Sequence, residues 1–518
     1  MVPAAAMTDV VGRLRHWAQE RPHDTLLVTD GRSYAYDEAL ARAEAVAEAL
    51  RSAGCARGSR VALYLEKYDQ FFVSMLGVWL AGGVVIPLNT TLPAADVEWL
   101  VAKADPSFLV VPSPGACPVA GPRELVVTHD GEHLVDGLKD AARDGGEEVW
   151  RGPPRPSASE ERGAPTSGDE LAMVMFTSGT TGVPKGACQT ARSVAANAGH
   201  VALELGLRAD DRIFINTPPY FTSGICHFLT LLAVGGSVVG QLGFFFGPGL
   251  LEEMEGLGCT GFGGAPAHLV RVVGPLEEPR PHRLRFWVSS GDHLPVAVVE
   301  KLAMVLPGVS LFNMYGLTEV SGRLCILPPT EIATRIGSVG RPIADMSVVV
   351  RRPDGTQAEQ GESGELFVSG SLLMQGYLGE PEITAAALGE HGFRTGDFGR
   401  VDADGYVWVE GRKDDIIKRG GEMVSIIQVQ QALQGLGRFA DVAVIAAPDE
   451  FLGHVPVAFV VPLDAQAFKP SRVLRDLRGV LPPAALPGRL IAATAIPRTG
   501  SGKAIRSQLQ AMLAEELR

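Results

Sequence analysis

The segment from Met173 to Gly186 constrains the fold of this chain more than any other. It reads MVMFTSGTTGVPKG: an apolar strand, then a cluster of hydroxyl side chains and glycines, and then Lys185. Glycine lets a backbone approach a ligand closely, and successive backbone N–H groups can form a concave anion site. The hydroxyl groups and the lysine ammonium add donors suited to phosphate. The segment therefore predicts a strand leading into a phosphate-binding loop, although the G-x-x-x-x-G-K-[ST] pattern of a Walker loop is absent.

Composition narrows the class of protein. A chain of 518 residues is long enough for roughly three or four folding units. With 46% hydrophobic and 20% charged residues, it is typical of a globular protein with large cores, which excludes a wholly disordered chain. The net charge of −13 comes without any lysine- or arginine-rich block, so we expect no nucleic-acid binding. Positive charge for an anionic ligand must then come from a few placed residues.

The distribution of cysteine and apolar residues predicts a cytoplasmic protein without membrane insertion. None of the six cysteines forms a C-x-x-C pair, and the first residues lack the basic and apolar regions of a signal peptide. Two long uncharged runs, 71–88 and 225–251, are interrupted by glycine and proline. We interpret both as buried helix, turn and strand rather than membrane spans.

The order of helical and strand-like segments predicts an α/β fold with a largely parallel sheet. Residues 10–150 alternate between the two patterns, residues 152–168 form a Pro/Ser/Gly-rich linker, and a second α/β region spans 171–328. Short strands and turns over 337–409 predict a β-rich subdomain, and residues 413–518 a mixed unit. The expected architecture is a large N-terminal domain of α/β subdomains plus a small β-rich subdomain, followed by a smaller α+β C-terminal domain.

Two further pattern matches are interpreted as coincidental. Residues 256–261 fit G-x-G-x-x-G, but no clear strand precedes them, so a dinucleotide site is not expected. Residues 129–133 fit H-x-x-E-H, but Asp-Gly in the middle favours a turn over the helix that a metal site requires.

Five ordered motifs carry a resemblance to a known family. Thr177 to Gly186 resembles the phosphate loop of the adenylate-forming superfamily, which comprises acyl-CoA synthetases, peptide-synthetase adenylation domains and firefly luciferases. Tyr315 to Glu319 is similar to its Y-G-x-T-E motif, and Arg394 to Asp397 resembles its T-G-D motif. Residues 411–418 resemble the hinge motif, and residues 497–503 the C-terminal lysine motif. The resemblance covers about residues 10 to 510, and it is most like an acyl-CoA ligase.

The resemblance implies an enzyme with two half-reactions. A carboxylic acid and ATP give an acyl-adenylate and pyrophosphate with Mg²⁺, and the thiol of CoA then displaces AMP. It implies an ATP- and acyl-binding domain over 1–411 and a mobile domain over 412–518 that swings about Asp414. Three alternatives stay open: transfer to a carrier protein, a relative that uses another nucleophile or acid (such as a nitrite-activating, ATP-dependent diazotase), and a degenerate nucleotide-binding scaffold.

Site residues follow from the matching motifs. Lys503 is expected to stabilise transition-state charge, Thr318 to donate to phosphate, and Glu319 to ligate Mg²⁺. Asp397 suits ribose hydroxyls, and the ring of Tyr315 suits adenine stacking. The remaining expected nucleotide-binding residues are Thr177, Ser178, Gly179, Thr180, Thr181, Lys185, Ser290, Gly291, Asp292, Asn313 and Arg412. The expected acyl pocket comprises Tyr220, Phe221, Gly224, His227, Gly264, Ala265 and Gly316, and its mostly apolar or small residues predict an apolar or aromatic acid.

The chain departs from the family pattern at several positions. Phe221 replaces the histidine found beside many acyl tunnels, which makes this position apolar. Thr222 stands where domains that activate amino acids usually carry aspartate, which argues against an ordinary α-amino acid. Gln428 and Gln430 replace two acids after the hinge. The pair Asp292-His293 is polar where many relatives are apolar, and it is expected either to contact a polar substrate group or to lie at a solvated rim.

A proline at the expected hinge tests the domain rotation. Asp414→Pro should impair thioester formation more than adenylate formation, because it fixes φ at a position that must change conformation. Pyrophosphate release and acyl transfer from a supplied adenylate measure the two steps separately. Equal loss of both steps would contradict a hinge at this residue.

Overall fold

A computed structural model describes residues 9–119, 122–126, 169–177, 184–242, 249–292, 294–335, 337–412, 415–420, 422–449, 451–498 and 504–516. The predicted linker at 152–168 and the turn at 129–133 lie outside these residues. Among the described helices, none is long and apolar enough to cross a membrane.

The chain from residue 10 to residue 204, which spans the predicted first region and the start of the second, alternates helices and strands. Its helices are α1 (Val10–Glu20), α2 (Tyr36–Ser52), α3 (Tyr68–Leu80), α4 (Ala94–Ala104) and α5 (Ala191–Glu204). Its strands are β1 (Thr25–Thr29), β2 (Arg32–Ala35), β3 (Arg60–Leu63), β4 (Val84–Pro87), β5 (Phe108–Val111), β6 (Arg123–Val126), β7 (Leu171–Thr177) and β8 (Lys185–Thr190). The uncharged run at 71–88 is the buried helix α3 followed by strand β4, which confirms that interpretation.

The second region supplies a second sheet. Its strands are β9 (Arg212–Ile215), β10 (Ser237–Gly240), β11 (Gly261–Gly264), β12 (Phe286–Ser290), β13 (Ser310–Tyr315), β14 (Cys325–Leu327) and β15 (Arg341–Pro342). Its helices are α6 (Thr222–Val234), α7 (Gly249–Gly256), α8 (Pro266–Val273) and α9 (Val296–Val305), with 3₁₀ turns at Thr318–Val320 and Pro329–Glu331. The G-x-G-x-x-G match lies where α7 ends and before β11, which is the reverse of the strand-to-helix order of a dinucleotide site.

The remaining elements form the β-rich subdomain and the C-terminal domain. The former contains β16 (Met346–Arg351), β17 (Gly364–Gly370), β18 (Gly376–Tyr377), α10 (Pro381–Ala387), β19 (Leu388–Gly389), β20 (Gly392–Val401) and β21 (Val407–Arg412). The latter contains β22 (Ile416–Arg419), β23 (Glu422–Ser425), α11 (Ile426–Gly435), β24 (Phe439–Asp449), β25 (Gly453–Pro462), α12 (Pro470–Leu477), a 3₁₀ turn at Pro483–Ala485, β26 (Arg489–Ala492) and α13 (Arg506–Glu516).

Two mainly parallel sheets form the N-terminal domain. One has the strand order β15-β14-β13-β12-β11-β9-β10-β1-β2 and the other β18-β8-β7-β4-β3-β5-β6. In the first sheet the run from β13 to β1 is parallel. A single apolar core joins the sheets and includes residues from both, such as Val85 and Met173 from one and Val288 and Phe312 from the other. The predicted α/β class and the β-rich subdomain are confirmed.

The two glutamines after the expected hinge have structural positions. Gln428 lies in the first turn of α11, where its backbone N–H donates to the Ser425 hydroxyl at 3.2 Å. The Gln430 side-chain oxygen accepts the backbone N–H of Val444 at 3.3 Å. Gln430 thus links α11 to β24, a role that a neutral amide fills without adding a charge.

Partial burial of His268 makes the stability of the fold depend on pH. Its Nδ1 accepts the backbone N–H of Ala265 at 3.2 Å, at the start of α8. Burial, helped by the charge of Arg271, lowers the pKa of His268 to about 4. An unfolded histidine has a pKa of about 6.5, so below that pH the unfolded chain binds a proton that the folded protein excludes. The folded state therefore loses stability as the pH falls from about 6.5 toward 4.

His268→Asn should weaken this dependence. Between pH 7 and pH 5 the histidine costs the wild type about 2 kcal/mol of stability, and an asparagine can accept the same N–H without titrating. The thermal unfolding midpoint should therefore fall more for the wild type than for the variant. Equal falls would show that His268 does not carry the effect.

Candidate active site

The hydroxyl-rich loop is the connection of an antiparallel hairpin. Strand β7 ends at Thr177 and β8 begins at Lys185, and these two residues are direct register partners. The expected loop residues Ser178, Gly179, Thr180 and Thr181 lie outside the described part of the chain. The residues that flank this loop are described, and they show that the loop begins and ends at the same end of the β7–β8 hairpin. Lys185 lies directly opposite Thr177.

A tyrosine joins Lys185 to Glu319. Strand β18 pairs with β8, which brings Tyr377 beside the start of the hairpin. The Lys185 ammonium lies 5.5 Å from the centroid of the Tyr377 ring, and the Tyr377 hydroxyl donates to Glu319 Oε1 at 2.9 Å. Burial, together with the charge of Glu319, raises the pKa of Tyr377, so the hydroxyl keeps its proton and orients the carboxylate.

The 3₁₀ turn that follows β13 places Thr318 against two neighbours. The buried Gln189 side chain donates from Nε2 to the Thr318 carbonyl at 2.6 Å. The hydroxyl oxygens of Thr318 and Thr222 lie 3.3 Å apart. Because Thr222 begins α6, the expected phosphate donor and the expected acyl pocket meet at this point.

The Asp397 carboxylate is the centre of a third group. Asp397 and Arg412 are register partners on β20 and β21, and the guanidinium Nε lies 3.2 Å from Asp397 Oδ1. The Tyr315 hydroxyl, at the end of β13, donates to Asp397 Oδ2. Burial, and then the charge of Asp397, raises the pKa of Tyr315 well above its usual value, so this hydroxyl stays a donor. A carboxylate oxygen can accept more than one hydrogen bond, so this group is chemically suited to hydroxyl ligands.

The expected nucleotide-binding residues on β12 and β13 lie at adjacent strand ends. Strand β12 ends at the buried Ser290, and Gly291 has a φ of +95°, which glycine adopts without strain. Asp292 follows this turn. Asn313 is buried on β13, and its amide donates to the Ser338 carbonyl at 2.9 Å, so this donor has a protein partner.

The expected acyl pocket is built around α6. Tyr220 and Phe221 precede the helix, with ring centroids 4.9 Å apart, and Phe221 is its N-cap residue. Gly224 lies so close to the preceding loop that an added Cβ would be 2.6 Å from the Pro218 carbonyl oxygen. His227 follows one turn later and is buried, with 5% of its surface exposed.

Glycines bring the other walls close to this helix. A Cβ on Gly316 would lie 1.9 Å from the Gly322 carbonyl oxygen, so only glycine fits where β13 leads into the 3₁₀ turn. Gly264 ends β11 and the buried Ala265 follows it, and a Cβ on Gly264 would lie 2.6 Å from His268 Nδ1. The structure therefore brings the ends of β11 and β13 to the same region as α6.

Arg498 of the C-terminal domain lies near the end of β12. Arg498 makes an ion pair with Asp441 of its own domain at 2.6 Å, and its Nη1 lies 3.9 Å from Asp292 Oδ2. Asp292 of the N-terminal domain therefore faces a cation of the C-terminal domain. His293 is outside the described residues. The expected hinge Asp414 and catalytic Lys503 also lie outside them, so their roles stay predictions.

Sequence reasoning missed several residues of the site. Gln189, Tyr377 and Arg323 belong to none of the motifs, and each acts through a contact with a residue more than 50 positions away. Lys185 and Glu319 were predicted, but the tyrosine that connects them is in a strand of two residues. Only the pairing of β18 with β8 reveals it.

This geometry defines a class of protein: an α/β enzyme with a lysine at the base of a hairpin and two carboxylates that are each oriented by a tyrosine. The chain belongs to the family of AMP-binding enzymes. The family model described as "AMP-binding enzyme" matches residues 14–378, and the model of the family's C-terminal domain matches residues 428–503. The predicted membership of the adenylate-forming enzymes, with their use of ATP, Mg²⁺ and CoA, is confirmed at the level of the family.

Named relatives and solved structures agree with this assignment. The chain is 30% identical to a feruloyl-CoA synthase of Amycolatopsis, over 95% of this chain and 96% of that protein. It is 29% identical to a long-chain-fatty-acid–CoA ligase of Mycobacterium tuberculosis, over 92% of each chain. The crystal structure of ATP-bound MatB from Rhodopseudomonas palustris is 26% identical, with a TM-score of 0.83, over 99% of this chain and 100% of that one.

The acidic residues present fit a magnesium ion that is bound mainly by phosphate. No group of three or more metal-ligating side chains occurs among the described residues. A single oriented carboxylate, Glu319, matches the usual Mg²⁺ site, where one or two carboxylates join phosphate oxygens and water. Glu319 Oε1 accepts from Tyr377, and no ion pair between Glu319 and another described side chain occupies the carboxylate.

Tyr377→Phe should weaken magnesium binding in the presence of nucleotide. Loss of the hydroxyl frees the Glu319 carboxylate to rotate, and loss of such an orienting group typically costs about 10- to 100-fold in metal affinity. Calorimetric titration of Mg²⁺ into protein with α,β-methylene-ATP measures the effect.

Tyr36→Phe is the matched control, because it also removes a buried tyrosine hydroxyl bond, here to the Gly236 carbonyl at 2.7 Å. The control should leave magnesium affinity unchanged. If Tyr377→Phe binds Mg²⁺ as the wild type does, the tyrosine does not orient the ligand.

Proposed function

We propose that this enzyme activates a carboxylic acid with ATP, releases pyrophosphate and transfers the acyl group to the thiol of CoA. The observation that carries the proposal is the convergence of Lys185, Thr318 and Glu319 at one end of the hairpin, beside the start of α6. Phosphate-binding groups and the mouth of an apolar pocket are thereby adjacent, as an attack of a carboxylate on a phosphate requires.

Each residue of the convergence has a role in the first step. Lys185 and the Thr318 hydroxyl bind phosphate oxygens, and Glu319, held by Tyr377, binds Mg²⁺, which neutralises charge on the phosphates when bound. Asp397 accepts the ribose hydroxyls, oriented by Tyr315 and Arg412. The acid's carboxylate oxygen attacks the α-phosphorus, and pyrophosphate leaves.

Lys503 is proposed to supply a positive charge that stabilises the negative charge developing in this step. Its segment follows Arg498, which contacts Asp292 at the end of β12, so the lysine lies five residues beyond an anchored arginine. A lysine ammonium near both the carboxylate and the α-phosphate stabilises the transition state without acting as a base. The proposed C-terminal domain, residues 412–518, then rotates about Asp414 so that the thiol reaches the acyl carbon.

The pocket supports an acid with an apolar or aromatic body. The walls are the rings of Tyr220 and Phe221 and the backbone of Gly264 and Gly316, whose close contacts leave no space for side chains at the glycines. Thr222 carries no charge, so an α-ammonium group has no partner at the position where amino-acid-activating domains provide one.

A screen of pyrophosphate release across carboxylic acids, with nitrite included, tests the proposal. Release with carboxylic acids followed by CoA thioester formation supports it. Release with nitrite alone would replace it by nitrite activation, and acyl transfer to a holo carrier protein but not to free CoA would change the acceptor. No release with any acid would show that the activation step is wrong.

Lys503→Ala separates the two half-reactions. The variant should lose about 100-fold or more of its rate of adenylate formation, because one preorganised positive charge is removed from the transition state. Transfer from a supplied acyl-adenylate to CoA should remain close to the wild-type rate. Pyrophosphate release by this variant at the wild-type rate would refute the role of the lysine.

A further inference from the structure

A buried arginine near α6 has no acidic partner among the described residues. Among the arginines that the structure describes, only Arg13 and Arg323 are buried, and Arg323 is 6% exposed. Its backbone is fixed by Asn197, whose amide nitrogen donates to the Arg323 carbonyl at 2.7 Å. Within the described chain the guanidinium makes one side-chain hydrogen bond, from Nη2 to His227 Nε2 at 3.4 Å, and it forms no ion pair with a carboxylate. A guanidinium cannot lose its charge by releasing a proton, so no group in the described part of the chain neutralises this buried charge.

The histidine beside Arg323 does not supply the missing anion. Burial, and then the charge of Arg323, lowers the pKa of His227 well below its usual value, so the imidazole is neutral and accepts from the guanidinium. The neighbouring Cys226 is a neutral thiol, because burial raises its pKa. Most of the five N–H donors of Arg323 are therefore available to another acceptor.

Arg323 adjoins the expected acyl pocket, because a Cβ on Gly316 would lie 3.3 Å from the Arg323 Cα atom. Thr222 begins α6 at the reacting end, 3.3 Å from the Thr318 hydroxyl, and His227 lies five residues further along the same helix. That separation is about 7.5 Å along the axis. The His227 ring covers the end of β11, where a Cβ on Gly263 would lie 2.7 Å from the imidazole. The guanidinium thus contacts a helical position five residues beyond the start of α6, where Thr222 lies beside Thr318.

We propose that Arg323 binds a second anionic group, a carboxylate or sulfonate, at the distal end of the acid substrate. A planar guanidinium binds such a group through two parallel hydrogen bonds, and the bound anion supplies the charge that the protein does not. The inference rests on the proposed acid activation and narrows its substrate class. The preferred acids have a compact apolar or aromatic body with an anion at each end.

Acid pairs with one skeleton test this selectivity. Terephthalate is compared with 4-methylbenzoate, and adipate with hexanoate, by kcat/KM for pyrophosphate release. The wild type should have a kcat/KM about 10-fold or more higher for the diacid of at least one pair than for its methyl counterpart. Arg323→Met should lower kcat/KM for that diacid about 100-fold, and it should leave kcat/KM for the methyl acid unchanged or higher. Arg323→Lys should be intermediate, since it keeps the charge but not the paired donors. A wild type that favours the methyl acids, or a variant that lowers both members equally, would overturn the inference.

Stability without substrate provides an independent readout. Arg323→Met removes an uncompensated buried charge, so its Tm without acid should equal or exceed that of the wild type. A large fall in Tm with unchanged acid preference would show that the arginine is structural, and the inference would be wrong.

Arg13→Met is the matched control, because it removes a buried guanidinium of α1, and the acid preference should not change. If no acid gives pyrophosphate release, the proposed function fails as well, whereas release confined to apolar monoacids overturns only the role of Arg323.

Discussion

The antiparallel pairing of β7 with β8 is the constraint on which the rest of the site depends. It sets Lys185 opposite Thr177, so the hydroxyl-rich connection begins and ends at the same end of the two strands. It also makes β8 available for pairing with β18, which brings Tyr377 to Lys185 and Glu319. A parallel partner in place of β8 would need a long crossover connection, and Thr177 and Lys185 could not then be direct partners across a short loop.

Both carboxylates of the site are oriented in the same way. Glu319 and Asp397 each accept from a tyrosine hydroxyl whose pKa is raised, chiefly by burial. A tyrosine in such surroundings keeps its proton, so it can only stabilise the ionised, accepting form of its partner. The acids are therefore fixed before a nucleotide arrives, and the ligand need not spend binding energy on ordering them.

Helix α6 carries residues that contact both Thr318 and Arg323. Thr222 at the start of α6 lies beside Thr318, whereas His227, further along, contacts Arg323. Because an α-helix rises by about 1.5 Å per residue, these two helical positions are about 7.5 Å apart along the axis. The close approach of Gly263 and Gly316 to their neighbours leaves no space for a side chain at either position.

The sequence by itself determined the α/β class, the strand leading into the loop, and the family through five ordered motifs, because each depends on residues that are neighbours along the chain. It predicted Lys185, Thr318, Glu319 and Asp397 for that reason. Only the tertiary structure revealed Tyr377, Gln189 and Arg323, and it showed that Asp292 faces Arg498. These residues belong to no sequence motif. Strand pairing and helix packing bring them to partners that are distant along the chain. Local patterns predict an element, but the balance of burial and charge across the whole fold decides which elements meet.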